Sequence, residues 1–472
     1  MDSSLTPEPV PAAYLEDESG FTGYGEGLYR PATPQQAAEV LAAAARTGTP
    51  VTVAGAGTGV VGGRVPEGGW VLSTERFRRL DIGSGRAHVG AGVLLRDLQL
   101  AAKTSGQFYA PDPTEWGASM GGTIATNASG SRSFLYGSTR RHLLSVTVAR
   151  MDGTVRTHGR DERLDFPYSP LAAPLCGKHT AGYYLRENSG YLELICGSEG
   201  TLAVVLEAEV RLLPQPASLL SGVVFFRSEE AALDAADEWR EAPQLRMLEF
   251  FDPPSLELLR GPYPEIPAAA RAALLVEQIA DGLEQDAEET WLGRMERFQA
   301  FDESWFGTTD GERERFRVFR HKLPEVVNER IKRNGFQKMG TDAAVPLERN
   351  REMMRWYRQV LDEQFPGKAV MYGHIGDAHM HVNVLPETED DARRGRAFQY
   401  ESARQAVALG GTVSAEHGLG KKKAHFLALE FTPDEIQAMC DVKRHFDPQW
   451  LLGRGNLLPL PAAAAFNSRT TR

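Results

Sequence analysis

Cysteine is scarce in this chain, and its positions exclude several kinds of metal and disulfide site. The three cysteines, Cys176, Cys196 and Cys440, lie far apart, so the sequence contains no CxxC motif. An iron–sulfur cluster or a structural zinc site held by thiolates is therefore not expected. A disulfide framework is not expected either, and this cysteine usage fits a reducing cytosol.

Long apolar runs are also missing, and no targeting signal is expected. The first twenty residues, MDSSLTPEPVPAAYLEDESG, are acidic and have neither the basic nor the apolar region of a signal peptide. No run of about 18 uncharged apolar residues occurs, so no transmembrane helix is expected. We expect a cytoplasmic protein, with peripheral contact at the inner face of the membrane left open.

Positive charge is in deficit, since 52 lysines and arginines stand against 63 aspartates and glutamates, for a net charge of −11. A chain of this charge repels nucleic acid on average, so nucleic acid is not an expected partner. The hydrophobic fraction of 42 % is ordinary for a globular protein. A length of 472 residues exceeds one ordinary core, and two or three domains are expected.

Glycine is abundant in residues 31–213, where short β-like runs alternate with helical ones. Residues 33–48 are typical of a capped helix, with a threonine N-cap, a proline in the first turn and a glycine at the end. Residues 143–159 predict a β-hairpin with Asp-Gly at its turn. Two prolines in residues 212–222 mark a link, after which a new α+β unit begins.

Three glycine-rich clusters stand out in this half: AGAGTGVVGG (54–63), PDPTEWGASMGGTIATNASGSRSFLYG (111–137) and GSEGTLAVV (197–205). The first follows a predicted strand, and such a turn lets backbone N–H groups approach a pyrophosphate closely. A Rossmann unit is disfavoured, because the following GRVPEGGWVLS contains a proline and more glycines instead of a helix. Taken singly, the first cluster is also explained by a tight structural turn and the second by a flexible loop.

Together, the three clusters resemble the PCMH-type FAD-binding domain of the vanillyl-alcohol-oxidase superfamily. The family pattern is approximately GxGTxxxGG, then PDP…GGxxATNAxG…YG, then GSEGTLxxxTE; this chain has GAGTGVVGG, PDP…GGTIATNASG…YG and GSEGTLAVVLE in that order. The resemblance implies FAD with its pyrophosphate on the first glycine loop. Noncovalent binding is favoured, because that loop has no histidine or cysteine to tether the flavin. The implied FAD contacts are Gly55, Ala56, Gly57, Thr58, Gly59, Pro111, Asp112, Gly121, Gly122, Thr126, Asn127, Gly130, Gly137, Gly197, Glu199 and Thr201.

The segment YGHIGDAHMHVNVLP (372–386) contains three of the eleven histidines, and these three span only eight residues. In a strand, His379, His381 and Asn383 share one face and the apolar residues between them share the other. His374 has the opposite parity, but the intervening IGDA can turn the chain and bring it next to His381. The plain alternative is a solvent-facing polar strand; a site is favoured because this polar set alternates with buried residues.

A second polar segment, TVSAEHGLGKKK (412–423), places Glu416 directly before His417. Neighbouring side chains point in different directions, so one can bind a metal while the other faces a substrate. A lone Glu-His pair is more often a pair of solvent-exposed residues with no role in a site. Two histidine nitrogens and one carboxylate oxygen, however, are a suitable set for a divalent cation with open coordination positions.

These two segments resemble the C-terminal domain of FAD-linked oxidases of the glycolate oxidase, D-lactate dehydrogenase and D-2-hydroxyglutarate dehydrogenase type. The family motifs are GHxGDGNxHxN and GEHGxG, and this chain has GHIGDAHMHVN and AEHGLG. The resemblance implies metal ligands at His374, His381 and Glu416, a substrate contact at Asn383 and a catalytic base at His417. The implied metal is divalent: zinc first, with iron or manganese as alternatives.

The sequence differs from the family pattern at several positions, among them Ala378-His379 where the family has Gly-Asn. His379 stands where the family has asparagine, and is either a further ligand or a substrate contact. The ending GRGNLLP replaces an NPGK-like motif and leaves Asn456 as the candidate cofactor contact. The family arginine and lysine that hold the substrate carboxylate correspond to Arg320 and Lys338, although Lys338 is two residues from the aligned position.

The resemblances imply an α+β chain: a two-subdomain PCMH-type FAD-binding domain at residues 30–214, then an α+β substrate (cap) domain with an antiparallel sheet at 222–459. An N-terminal extension (1–29) and a flexible tail (460–472) complete the expected organisation. The implied reaction is metal-assisted oxidation of an (R)-2-hydroxy acid, such as D-lactate, glycolate or 2-hydroxyglutarate, with hydride transfer to flavin N5. Because no iron–sulfur motif is present, electrons would pass to an external quinone, electron-transfer flavoprotein, cytochrome or partner subunit.

Two alternative functions stay open at this point. One is a metal-free oxidase or dehydrogenase of the same fold that acts on a sugar or aromatic alcohol. The other is a non-catalytic subunit of a glycolate-oxidase-like complex that binds no flavin. The sequence is also compatible with a dimer.

Overall fold

The computed structural model of the protein describes residues 6–282 and 284–460, so all but the first residue of the predicted tail lies outside the described part. Helices and mainly antiparallel strands occur together, and the predicted α+β class is confirmed. In the described ranges, no helix is both long and apolar enough to cross a membrane.

The first half of the chain is built from ten short strands and six helices in its described residues. The strands are β1 (Gly27–Tyr29), β2 (Val51–Ala54), β3 (Trp70–Ser73), β4 (Leu80–Gly83), β5 (Arg86–Gly90), β6 (Gln107–Phe108), β7 (Leu143–Ala149), β8 (Val155–Gly159), β9 (Val204–Arg211) and β10 (Leu213–Pro214). The helices are α1 (Pro34–Thr47), α2 (Leu95–Thr104), α3 (Met120–Ala125), α4 (Ser133–Tyr136), α5 (Thr139–His142) and α6 (Tyr191–Ile195).

These strands form two main sheets. A parallel sheet has the order β1-β3-β2, and an antiparallel one has the order β4-β5-β9-β7-β8. Helix α1 begins as the sequence predicts, because the Thr33 side chain accepts from the Gln36 N–H, and it ends at Gly48 with a φ of 69°. No helix follows β2, since residues 55–69 lead directly to β3, and this agrees with the exclusion of a Rossmann unit.

The second half has one larger sheet covered by helices. Its strands are β11 (Leu219–Phe226), β12 (Leu245–Phe251), β13 (Ala272–Ile279), β14 (Trp305–Gly307), β15 (Met339–Gly340), β16 (Ala369–His374) and β17 (His379–Val384). Its helices are α7 (Glu229–Trp239), α8 (Pro253–Leu259), α9 (Glu284–Arg297), α10 (Asp310–Asn334), α11 (Asn350–Gln364), α12 (Glu389–Ala408), α13 (Leu427–Glu430) and α14 (Pro433–Phe446).

The seven strands run in the order β14-β11-β13-β12-β16-β17-β15, and every pairing is antiparallel, as predicted. Alternating residues of these strands enter two separate apolar cores, as Phe250 and Phe251 do on β12. Helix α14 and the following Leu452 and Leu457 then return to the core of the first half. The chain therefore crosses between its halves twice, and the segment after α12 lies at their contact.

Candidate active site between the two halves

The hairpin of β16 and β17 carries the histidine cluster. A short turn at Ile375–Asp377 reverses the chain, so that His374 pairs with His379 and Tyr372 with His381. The three imidazoles share one face of the sheet, with ring centroids 5.3 Å apart for His374 and His381 and 4.5 Å for His379 and His381. The apolar residues between them pack into the core below. The structure thus brings His374 to His381 across the turn, as its sequence predicts.

Glu416 joins this cluster from the segment after α12. Its Oε2 lies 3.3 Å from His374 Nε2 and 3.8 Å from His381 Nε2. One ligand atom each from His374, His379, His381 and Glu416 can be chosen so that all four lie within 4.8 Å of one another. The three predicted metal ligands therefore converge, and His379 accompanies them.

The residues of the cluster fit a divalent cation. His379 is fully buried, and neither of its ring nitrogens has an aligned hydrogen bond among the described residues. Its Nε2 does lie 3.3 Å from Asp342 Oδ1. An imidazole buried without hydrogen bonds is costly unless a ligand engages it. Imidazoles combined with one carboxylate are a donor set that zinc prefers.

The charges of the cluster also suit a metal. Burial lowers the pKa of His381 well below its ordinary value, and the neighbouring His379 and His374 lower it further. Burial would raise the pKa of Glu416, but Lys178 and His374 hold it well below its ordinary value. His381 is therefore neutral and Glu416 ionised at neutral pH, the states in which each binds a cation.

A buried glutamate on β12 orients His374. Glu249 Oε1 accepts from His374 Nδ1 at 2.5 Å, which leaves Nε2 directed at the cluster. Glu249 Oε2 accepts from Arg320 Nε at 2.9 Å, and Arg320 Nη1 donates to Thr114 Oγ1 at 3.0 Å. The predicted substrate arginine, Arg320, thus reaches the site, but its Nε and Nη1 already donate to other residues of the protein. Of its three guanidinium nitrogens, only Nη2 has no hydrogen-bond partner among the described residues.

His417 lies beside the cluster with a second buried carboxylate behind it. Its ring stacks against His381 at a centroid distance of 5.4 Å, and its Nδ1 lies 3.3 Å from Asp342 Oδ1. Burial lowers the pKa of His417; Asp342 raises it, and Lys423 lowers it again. The His417 side chain is 34 % exposed, so a neutral imidazole is accessible from solvent. This arrangement suits a general base.

The other two predicted substrate residues differ in position. Asn383 is buried on the face of β17 that carries His381, and its Nδ2 has no hydrogen-bond partner among the described residues. Lys338 precedes β15, and its Nζ donates to Asn328 Oδ1 at 3.2 Å. Within the described residues, no contact joins Lys338 to the histidines. Asn383 is therefore brought to the cluster, and Lys338 is not.

The first glycine loop presents a row of free amides. The N–H of Ala56 donates to Ser119 Oγ at 3.3 Å, whereas those of Gly57, Thr58 and Gly59 have no acceptor among the described residues. Gly57 has a φ of 88°, which favours glycine. Successive unpaired amides after a strand form a concave anion site. The loop therefore fits the pyrophosphate of FAD.

The side chains at several other predicted FAD positions form hydrogen bonds with other parts of the protein instead. Both oxygens of Glu199 accept from the backbone, from Leu419 N–H at 2.8 Å and Gly420 N–H at 2.7 Å. Asn456 donates to Gly63 O at 2.7 Å and accepts from a lysine. These side chains join the two halves at the glycine loop.

The remaining predicted positions are distributed around α3 and α4. The Asp112 side chain accepts from Trp116 and pairs with an arginine, and the Asn127, Thr126 and Thr201 side chains hold nearby backbone or hydroxyl groups. The other positions are Pro111, which precedes α3, Gly121 and Gly122 within α3, Gly130 and Gly137 on either side of α4, and Gly197 after α6. Glycines dominate this set, so its surface is mostly backbone.

Sequence reasoning missed three charged residues of the site. Asp342 is the first residue of DAAVP, the stretch used to align Lys338 with the family lysine, so the sequence contains a signal for it. Lys178 and Glu249 lie in CGKHT and MLEFF, which carry no motif. Buried charges of this kind are found only when their partners are known.

Comparison with known proteins agrees with this geometry. Residues 26–159 match the family of FAD binding domains, and residues 215–457 match the FAD linked oxidases, C-terminal domain. The chain is 30 % identical over 440 residues to a D-lactate dehydrogenase of Archaeoglobus fulgidus, covering 91 % of each chain. It is 28 % identical over 457 residues to the glycolate oxidase subunit GlcD of Bacillus subtilis, covering 92 % of this chain and 88 % of the relative.

Among solved structures, alkyldihydroxyacetonephosphate synthase has a similar fold, with a TM-score of 0.67 at 15 % identity. The match covers 92 % of this chain and 77 % of that one. The predicted PCMH-type FAD-binding domain and C-terminal oxidase domain are confirmed by these matches. The chain belongs to the FAD-linked oxidoreductases of the D-lactate dehydrogenase and glycolate oxidase family.

Proposed function

We propose that this protein oxidises an (R)-2-hydroxy acid to the 2-oxo acid, with FAD and a divalent metal at His374, His381 and Glu416. The observation that carries the proposal is the convergence of three imidazoles and a carboxylate beside the neutral base candidate His417. The names of two relatives, a D-lactate dehydrogenase and a glycolate oxidase subunit, support the substrate class. His379 is a fourth candidate ligand.

The residues of the protein share the remaining work. The substrate carboxylate binds to the unpaired donors Arg320 Nη2 and Asn383 Nδ2. Asp342 Oδ1 lies 3.3 Å from His417 Nδ1 and favours the tautomer with the proton on Nδ1, which leaves Nε2 to take the hydroxyl proton. Lys338 has no part in this arrangement unless it moves, because its Nζ is held by Asn328.

The divalent metal and FAD would supply the Lewis acidity and the redox chemistry that the side chains cannot provide. A divalent metal supplies Lewis acidity toward the substrate hydroxyl. Bound FAD would supply the acceptor for a hydride from the substrate Cα. The chain has no iron–sulfur motif, so the electrons then pass to an external quinone, electron-transfer flavoprotein, cytochrome or partner subunit.

Anaerobic flavin bleaching tests this function. D- and L-2-hydroxy acids are added to the FAD-loaded protein, and the absorbance at about 450 nm is followed. We expect bleaching by D-acids or glycolate, and its loss after metal removal with a chelator. Bleaching by other alcohols that a chelator leaves unchanged would instead support the metal-free alternative. A colourless protein would support the non-catalytic subunit.

His417→Ala tests the base. We expect bound FAD to be retained and the bleaching rate to fall on the order of 10²–10⁴-fold, the usual effect of general-base loss. His425→Ala is the matched control, since His425 is exposed and lies outside the cluster. An unchanged rate in His417→Ala contradicts the assignment.

A further inference from the structure

A buried lysine from the FAD-binding half contacts the candidate metal site. Lys178 lies between β8 and α6, and its side chain is 3 % exposed. Its Nζ lies 2.7 Å from Glu416 Oε1, 3.1 Å from Gly130 O and 3.2 Å from Asp377 Oδ2. An ammonium has three protons, and each has an acceptor here. Lys178 therefore has no donor left for a substrate, and any effect it has on the reaction passes through these partners.

The two oxygens of Glu416 have separate environments. Oε1 accepts from Lys178 Nζ, from Ser129 Oγ at 2.6 Å and from Gly130 N–H at 3.0 Å, all in the first half of the chain. Oε2 faces His374 and His381. Three donors on one oxygen prevent the carboxylate from rotating freely. The first half thus determines which oxygen points to the imidazoles.

Lys178 also contacts the segment that carries the other ligands. Asp377 belongs to the turn between His374 and His379, and its Oδ2 shares the ammonium with Glu416. One buried cation therefore holds the turn of the histidine hairpin and the separate Glu416 segment in a single arrangement. No other described contact ties both segments to the FAD-binding half through one atom.

We propose that Lys178 is a positioning residue for the metal site, so that metal affinity depends on the FAD-binding half of the chain. The inference rests on the metal-assisted function proposed above. Residues that hold metal ligands typically contribute about 10–100-fold to metal affinity. Lys178 is such a residue, because it orders Glu416 without being a ligand itself.

Metal affinity of the Lys178→Met variant tests the proposal. Methionine keeps most of the unbranched side chain and removes the charge. FAD-loaded protein is freed of metal, and Zn²⁺ or Mn²⁺ binding is measured by competition with a chromophoric chelator. We expect the dissociation constant to rise about 10–100-fold, with FAD content by absorbance unchanged.

Lys443→Met is the matched control. Lys443 is equally buried, and its Nζ likewise has three acceptors, Asp447 Oδ2, Thr201 O and Leu452 O, away from the histidines. Both variants lose a buried ammonium and fall in Tm, but only Lys178→Met is expected to weaken metal binding. Equal weakening in both would overturn the positioning role, as would a wild-type dissociation constant in Lys178→Met.

A second variant keeps the test valid if Lys178→Met does not fold. Ser129→Ala removes another donor to Glu416 Oε1 without removing a charge, and we expect weaker metal binding in the same direction. Unchanged affinity there would overturn the inference. Wild-type protein that binds neither Zn²⁺ nor Mn²⁺ would instead overturn the proposed metal function, and the inference with it.

Discussion

At the scale of single residues, Asp342 connects the histidines that the sequence presents in two distant segments. Its Oδ1 lies 3.3 Å from both His379 Nε2 and His417 Nδ1, and its Oδ2 accepts from the His417 N–H at 2.9 Å. Burial would raise its pKa, but His417, His379 and Lys423 hold it well below the ordinary value. Asp342 is therefore an anion at neutral pH that lies between the two imidazoles.

Replacing Asp342 by asparagine is expected to slow flavin reduction on the order of 10²-fold or more, within the range for loss of general-base function. The asparagine amide can donate to His417 Nδ1, which would favour the tautomer whose Nε2 carries the proton. Stopped-flow measurement of flavin reduction checks this. Asp391→Asn, at another buried carboxylate that binds Lys368, is the control. Equal rates for Asp342→Asn and wild type would contradict the expectation.

At the scale of elements, the loop after β2 depends on a glycine in the left-handed backbone region. Gly57 has a φ of 88°, and a Cβ there would lie 2.3 Å from Arg64 Nη1. The unpaired amides that follow depend on this conformation. The histidine hairpin is the corresponding element of the second half, and its turn determines which imidazoles meet.

Gly57→Ala is expected to lower bound FAD, since an alanine strains the left-handed backbone by about 1–2 kcal/mol and crowds Arg64. The ratio of flavin to protein absorbance after purification measures this. Gly85→Ala is matched to it, because Gly85 has a φ of 72° with open space around its Cβ, outside the loop. The expectation would be wrong if both variants retained the same FAD content.

At the scale of the whole molecule, Glu199 links the glycine-rich half to the segment that carries Glu416 and His417. Both its oxygens accept backbone N–H groups of that segment. Burial raises its pKa from 4.5 to about 7, although Leu419 and Gly420 oppose the rise. The folded protein therefore holds a proton on Glu199 in a pH range where the unfolded chain has lost it.

This difference gives stability a defined pH dependence. Between about pH 4.5 and 7 the folded state binds more protons, so the free energy of unfolding falls as pH rises, by on the order of 3 kcal/mol in total. Glu199→Gln removes this contribution, and its Tm is expected to fall less steeply across that range than the Tm of wild type. Thermal unfolding at a series of pH values measures both slopes. Parallel slopes would contradict the expectation.

Patterns among residues close together in the sequence predict much of this structure. Strand alternation predicts the shared face of His379, His381 and Asn383, and caps predict α1, because both depend on neighbours within a few residues. The glycine clusters likewise indicated the FAD-binding domain, which is confirmed.

Partners far apart in sequence were decided by the tertiary structure alone. Lys178 and Ser129 meet Glu416 across 238 and 287 residues, and Arg320, expected to hold a substrate, shares Glu249 with His374. No periodicity encodes such pairs. They form because the two halves pack against each other and bring these buried polar groups within hydrogen-bonding distance.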